Sequence, residues 1–154
     1  GIGSASMISL GHFYGIGDKQ EIRKSGHSNF ILVLILMIIS AFIFIVFRNI
    51  LPTFYVDDIE VITLASSLLI IAGLFQLSDG IQAVGLGILR GIRDTKIPTL
   101  VTFVSYWLIA IPLSYVLGII MGYGLYGVWV GLSVGLTIAA VFHVIRFNYL
   151  TSSK

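Results

Sequence analysis

Residues 30–47 read Phe-Ile-Leu-Val-Leu-Ile-Leu-Met-Ile-Ile-Ser-Ala-Phe-Ile-Phe-Ile-Val-Phe, one hydroxyl among 18 positions and no charge. A helix that is apolar on every side needs apolar surroundings on every side. The charge-free run extends over Ser25–Phe47, 23 residues, and about 20 apolar residues cross a hydrocarbon core of roughly 30 Å. Val61–Ser78 adds another 18 residues without charge; Asp79 then interrupts an apolar run that continues to Leu89. Ile97–Ile145 holds 49 residues without charge, too many for one crossing and enough for two. Its middle, Gly118–Gly127, is rich in glycine and tyrosine and reads as a hairpin at a membrane surface, where tyrosine is favoured. Four full spans are expected, at 29–48, 61–88, 98–119 and 125–146.

Composition agrees. Of 154 residues, 57% are hydrophobic and 10% charged, and the mean hydropathy is +1.04. A single core of this size cannot bury so much apolar surface, so a soluble monomer is excluded and lipid is the remaining solvent. Disorder needs the opposite composition. With no cysteine, disulfides and thiolate chemistry are absent. A net charge of +2 gives no reason to expect nucleic acid. The fold class is therefore all-α, a polytopic transmembrane bundle.

Residues 1–13 are apolar but reach only about 20 Å as a helix. They lack a signal peptide's basic start and cleavage pattern and read as the end of a fifth helix, in a piece of a longer protein. Charges alternate by side. Lys19, Arg23, Lys24, Arg90, Arg93, Lys96, Arg146 and Lys154 fall on one side, and Arg48 alone among basic residues falls on the other. The positive-inside rule makes the first side, with the C-terminus, cytoplasmic. Segment 14–28 is the one sizeable polar stretch. Asp18 and Glu21 have capping-box spacing, which predicts a short cytoplasmic helix there. Asp57-Asp58 on the opposite side reads as a solvated turn.

Gln76, Asp79 and Gln82 lie within the third apolar segment, counting 1–13 as the first. Their spacing of three spans an arc of about 120° on the helix. A carboxylate in hydrocarbon costs roughly 2.5–3.5 kcal/mol on insertion scales and generally faces a bundle interior or a cavity. Asp79 is thus a candidate cation or proton site, with a structural hydrogen-bonding role as the other reading. Gly73, Gly80 and Gly87 recur every seven residues, and Gly127, Gly131 and Gly135 every four; both are stripes for close helix packing. Pro112 lies mid-span and removes a backbone hydrogen bond, as a moving hinge or a static kink; Tyr106 and Trp107 just before it face a cavity or lipid. His12, His27 and His143 show no metal-ligand spacing, Gly15-Ile-Gly17 is too short for a nucleotide fingerprint, and no catalytic constellation is present.

Leu74–Pro98, with Asp79 between the two glutamines and the sequence Leu89-Arg-Gly-Ile-Arg-Asp-Thr-Lys-Ile-Pro98, resembles the tenth helix and following loop of bacterial multidrug and toxic compound extrusion (MATE) transporters of the NorM-like branch. Gly11–Asp18 with Arg23-Lys24 is similar to the end of that family's helix eight; Ser105–Tyr115 and Gly124–Gly135 are similar to helices eleven and twelve. Ile22 departs from the alanine often found before that arginine. The resemblance covers essentially the whole chain. It implies the end of helix eight (1–13), a connecting segment (14–28), and helices nine (29–48), ten (61–88), eleven (98–119) and twelve (125–146), part of the carboxyl-terminal six-helix lobe of a transporter whose amino-terminal lobe is not in this sequence.

That resemblance implies a secondary antiporter of a bacterial inner membrane, exporting a drug or organic cation in exchange for Na⁺ or H⁺, with no other cofactor. Asp79 would couple the ion, and Gln76 and Gln82 would shape its site. A lipid-precursor or polysaccharide flippase is the second reading, although basic residues for anionic headgroups are missing from the spans away from their ends. A small membrane subunit without transport of its own is the third.

Overall fold

The computed structural model describes residues 1–152, so the tail residue Lys154 lies outside the described residues. Five helices run through the chain: α1 (Ile2–Ile16), α2 (Lys19–Val46), α3 (Ile59–Gly91), α4 (Lys96–Ile120) and α5 (Leu125–Thr151). A short 3₁₀ turn, Leu51–Phe54, precedes α3. Helices α2 to α5 are each long and apolar enough to cross a bilayer. Ile31, Ile35, Ile38, Ile39 and Phe42 of α2 are all at least half-exposed, a surface that suits acyl chains and not water.

The polar ends follow local chemistry. Gly17 ends α1 in the left-handed conformation (φ 81°), and Asp18 at once caps α2 by accepting the Glu21 N–H at 3.1 Å. Asp58 caps α3, accepting from Glu60 (2.8 Å) and Val61 (3.3 Å). Gly122 and Gly124, both at positive φ, turn the chain between α4 and α5, within the expected hairpin.

The polar segment 14–28 does not form a separate short helix. Once capped at Asp18, α2 continues unbroken through Ser28 to Val46. Nothing between Lys19 and Phe30 breaks a helix except Gly26, whose bare Cα seats the Phe147 ring of α5. The other helices overrun their apolar runs too: α3 begins at Ile59 and ends at Gly91, and α5 continues to Thr151. A helix need not stop where hydrocarbon does, because long basic side chains reach the interface from its ends.

Helix α3 is the axis of the bundle, with α1, α2 and α5 packed around it. Near the basic end, Leu10, Ile22, Val33, Val84, Ile88, Leu89 and Phe147 make one core from all four. Along the rest, contact depends on missing side chains. A Cβ on Gly73 would meet the Ala41 carbonyl of α2 at 3.4 Å, and one on Gly80 would meet Met37 at 2.6 Å. At Gly87 it would overlap the Gly3 carbonyl of α1. On α5, Gly127 lies against Leu117, Gly131 against the Ser114 backbone and Gly135 against Ala110, all in α4. The two stripes therefore serve different partners: α3's splits between α2 and α1, and α5's holds α4.

A Cβ at Gly131 would stand 2.5 Å from the Ser114 amide nitrogen, where only backbone movement can relieve it. Gly131→Val should destabilise the fold by about 1–3 kcal/mol, measured by thermal unfolding in detergent. Gly15→Ala, in a helix with open space at that position, should stabilise it by roughly 0.5–1 kcal/mol.

Candidate functional site

Midway along α3 each side of the helix meets different chemistry. Toward α2, the Gln76 Oε1 accepts from Ser40 at 2.7 Å. Toward α5, Thr137 uses its own proton on the Ser133 carbonyl, so Ser78 donates to the Thr137 oxygen at 2.8 Å; Phe75 meets Trp129 edge-on with ring centroids 5.4 Å apart. Gln82 is buried and borders a cavity shared with Gly3, Ser4 and Met7 of α1.

Asp79 is on the remaining side. It is exposed, and no described residue hydrogen-bonds or ion-pairs with it. Ala65, Ala72, Asp79 and Leu86, spaced by seven, form one line down α3. Above the acid, Val61, Ala65, Leu68 and Ala72 line an apolar groove of about 410 Å³ with Trp129. Below it, Leu86 and Arg90 share a cavity of about 260 Å³ with Thr102, Tyr106 and Trp107 of α4. Leu86, seven residues on from Asp79 along the same line of α3, thus meets Tyr106. The uncovered side thus offers an apolar groove, one carboxylate and one phenol, a combination suited to an amphiphilic cation.

The structure brings Asp79 and Tyr106 to this side and does not join the two glutamines to the acid. Residues three apart are rotated by about 60°, so Gln76 and Gln82 turn to either side of Asp79 and reach different helices. Pro112 is exposed and lies between two π-helical stretches of α4, Ser105–Ala110 and Val116–Ile120; the wider turns accommodate its missing donor while the helix continues.

Two polar groups gain a place that sequence alone did not assign. Ser40 is the single hydroxyl in an apolar run, and that isolation was its only signal. His143 is fully buried. Thr102 donates to the Pro98 carbonyl, so it accepts from His143 Nε2 at 3.2 Å, while Nδ1 has no partner among the described residues. Gly85 on α3 opens the space for this imidazole, since a Cβ there would meet His143 Cβ at 2.8 Å.

Gln76 is half-satisfied, its Nε2 buried without a partner. Ser40→Ala would leave its Oε1 unpaired too and should cost about 1–3 kcal/mol in thermal unfolding. Adding Gln76→Met should recover most of that loss, because removing both partners of a buried pair is close to neutral.

Comparison with known proteins places this architecture. The MatE family model matches residues 1–116. The chain is 37% identical over 150 residues to the multidrug resistance protein MdtK of Yersinia pseudotuberculosis, covering 95% of this chain and 33% of the relative. It is 34% identical over 151 residues to the probable multidrug resistance protein NorM of Xylella fastidiosa, covering 98% and 32%. Its fold superposes on the crystal structure of the eukaryotic MATE transporter AtDTX14 with a TM-score of 0.89 at 22% identity, over 94% of this chain and 32% of that one. The chain thus spans about a third of the length of these relatives. An all-helical fold with four apolar spans, matched by the family model over most of its length, is a stretch of membrane transporter: this chain belongs to the MatE family.

Proposed function

We propose that the intact protein is a secondary antiporter that exports drugs or other organic cations in exchange for Na⁺ or H⁺. Its family is one of transporters and not of enzymes. The observation that carries the reading is Asp79, an exposed carboxylate midway along an apolar helix, between an apolar groove and the cavity that Tyr106 lines. Two relatives are named as multidrug resistance proteins. The spans carry no basic residue away from their ends, which favours a cationic cargo over an anionic headgroup.

A lone carboxylate at membrane depth is unfavourable until a proton or cation neutralises it. Export and coupling follow if the two ligands compete. An ion arriving at Asp79 releases a bound organic cation, and the ion's differential affinity for the two orientations sets the direction. The remainder of the transporter would face this side, and rocking of its two lobes would alternate access, as in other transporters built from repeats. Gln76 acts through Ser40, fixing the turn of α3 that carries the acid, and Gln82 is buried beside the cavity that α3 shares with α1. The face carrying Lys19, Arg90, Arg93 and Arg146 is cytoplasmic, and the bilayer is a bacterial inner membrane.

In the intact transporter, Asp79→Asn should reduce ion-driven efflux of a cationic dye from loaded vesicles to background, at least about tenfold, with membrane insertion unchanged. Efflux at the parental rate would remove the coupling role from Asp79.

A further inference from the structure

On the basic face, a second recess lies well apart from Asp79. It has a volume of about 320 Å³ and is walled by Tyr14 at the end of α1, Lys19 and Ile22 at the start of α2, Arg93 in the turn after α3, and Arg146 and Leu150 near the end of α5. Three cations converge on it against one carboxylate, Asp94, which accepts from Arg146 Nε at 2.9 Å. Lys19 and Arg93 have no acidic partner among the described residues.

The backbone at Arg93 is the second observation. The α3 terminus closes with paired hydrogen bonds, Arg93 N–H to the Arg90 carbonyl (3.0 Å) and Asp94 N–H to the Leu89 carbonyl (2.9 Å). This closure puts Arg93 at φ 64°, the only non-glycine at positive φ among the described residues. The α1 terminus closes in the same way, with Gly17 to Tyr14 (3.1 Å) and Asp18 to Phe13 (3.2 Å), and there the residue is glycine, the usual choice. A side chain in this conformation costs free energy that glycine would not. Here it sets a guanidinium 5.9 Å from the Tyr14 ring centroid, at the mouth of the recess.

Of the remaining walls, Ile22, Ile92 and Leu150 are apolar, and the Thr151 hydroxyl donates to the Phe147 carbonyl of its own helix. Ile22 is buried at the base, Leu150 is 40% exposed, and the adjoining Tyr149 is 70% exposed, turned outward from the bundle. A free anion gains nothing from such a rim, whereas a headgroup attached to acyl chains does. We propose that this recess binds the phosphate of an anionic phospholipid, with Lys19, Arg93 and Arg146 around the phosphate and the acyl chains running past Leu150 into the bilayer. The bound lipid would tie α1, α2, α5 and the α3–α4 turn together at one membrane face.

The test is thermal unfolding of the intact protein in neutral detergent, with added phosphatidylglycerol, phosphatidylcholine or inorganic phosphate. Phosphatidylglycerol should raise Tm by about 3–5 °C, and the other two should not. The Lys19→Gln/Arg93→Gly double variant should lose most of that shift. Glycine relieves the left-handed backbone, so its Tm without lipid should not fall through the cap itself. Lys19→Gln alone, an exposed first-turn change, should lose part of the shift. Lys24→Gln/Lys96→Gln removes the same charge from the same face outside the recess and should keep the full shift. An equal loss in both double variants would assign the effect to diffuse surface charge and overturn the proposal. So would a full shift with inorganic phosphate, or none with phosphatidylglycerol.

Discussion

Helix α3 is held largely by close approach of its neighbours at positions where it has no side chain. In water, neighbouring helices are driven together by apolar burial. In a bilayer the surrounding tails are as apolar as leucine, and association falls to close packing and a few hydrogen bonds. That is why Gly73 and Gly80 face α2, Gly87 faces Gly3 of α1, and Gly85 faces His143 of α5. Each contact fixes the rotation of α3 about its own axis. These contacts leave Asp79 on an exposed line of the helix. The position of the acid is thus a consequence of where side chains are absent.

Much of this was legible in the sequence because membrane physics acts on composition over long windows. Phe30–Phe47, the 49-residue uncharged run and its glycine-tyrosine middle gave the spans and the hairpin. Asp18 with Glu21 located the start of α2. The helix lengths were less legible. Hydropathy reports where hydrocarbon ends, and the helix continues into the headgroups, so the basic segment before Ser28 was read as separate when it is the first third of α2. The candidate site divided in the same way. A spacing of three names a shared arc but not which neighbours divide it, so Gln76, Asp79 and Gln82 looked like one cluster and point three ways. Arg93 gave no sequence signal at all, since a left-handed residue is inferred from glycine and this one is arginine.

Helix α4 shows how packing can override the regular hydrogen-bond ladder. Its two π stretches bracket Pro112, and both lie against the α5 ridge: the Ser105 carbonyl and Ala110 at Gly135, Leu117 at Gly127. A π turn is wider than an α turn, so the partner must be bare where it swells. Between them Ser114 donates to the Val128 carbonyl of α5 at 3.0 Å, and its backbone rests on Gly131. The ridge read from sequence as a stripe for close helix packing is here the mould for an irregular helix.

The acids of the chain separate by what they do for folding. Asp18 and Asp58 cap helices, Asp94 holds Arg146, and Glu21 lies 4.0 Å from Lys24. Removing any of these leaves an identifiable backbone or cationic group without its partner. Asp79 has no such duty among the described residues, yet it interrupts an apolar run where alanine, as at positions 65 and 72 of the same line, would insert more favourably. Local preference and global fold agree along nearly all of α3, through its cap, its glycine contacts and its apolar faces. A charged residue that no fold contact in its element requires is where a functional role is sought. Packing against α1, α2 and α5 leaves that carboxylate on an exposed line of α3, in register with the apolar groove that Ala65 and Ala72 line.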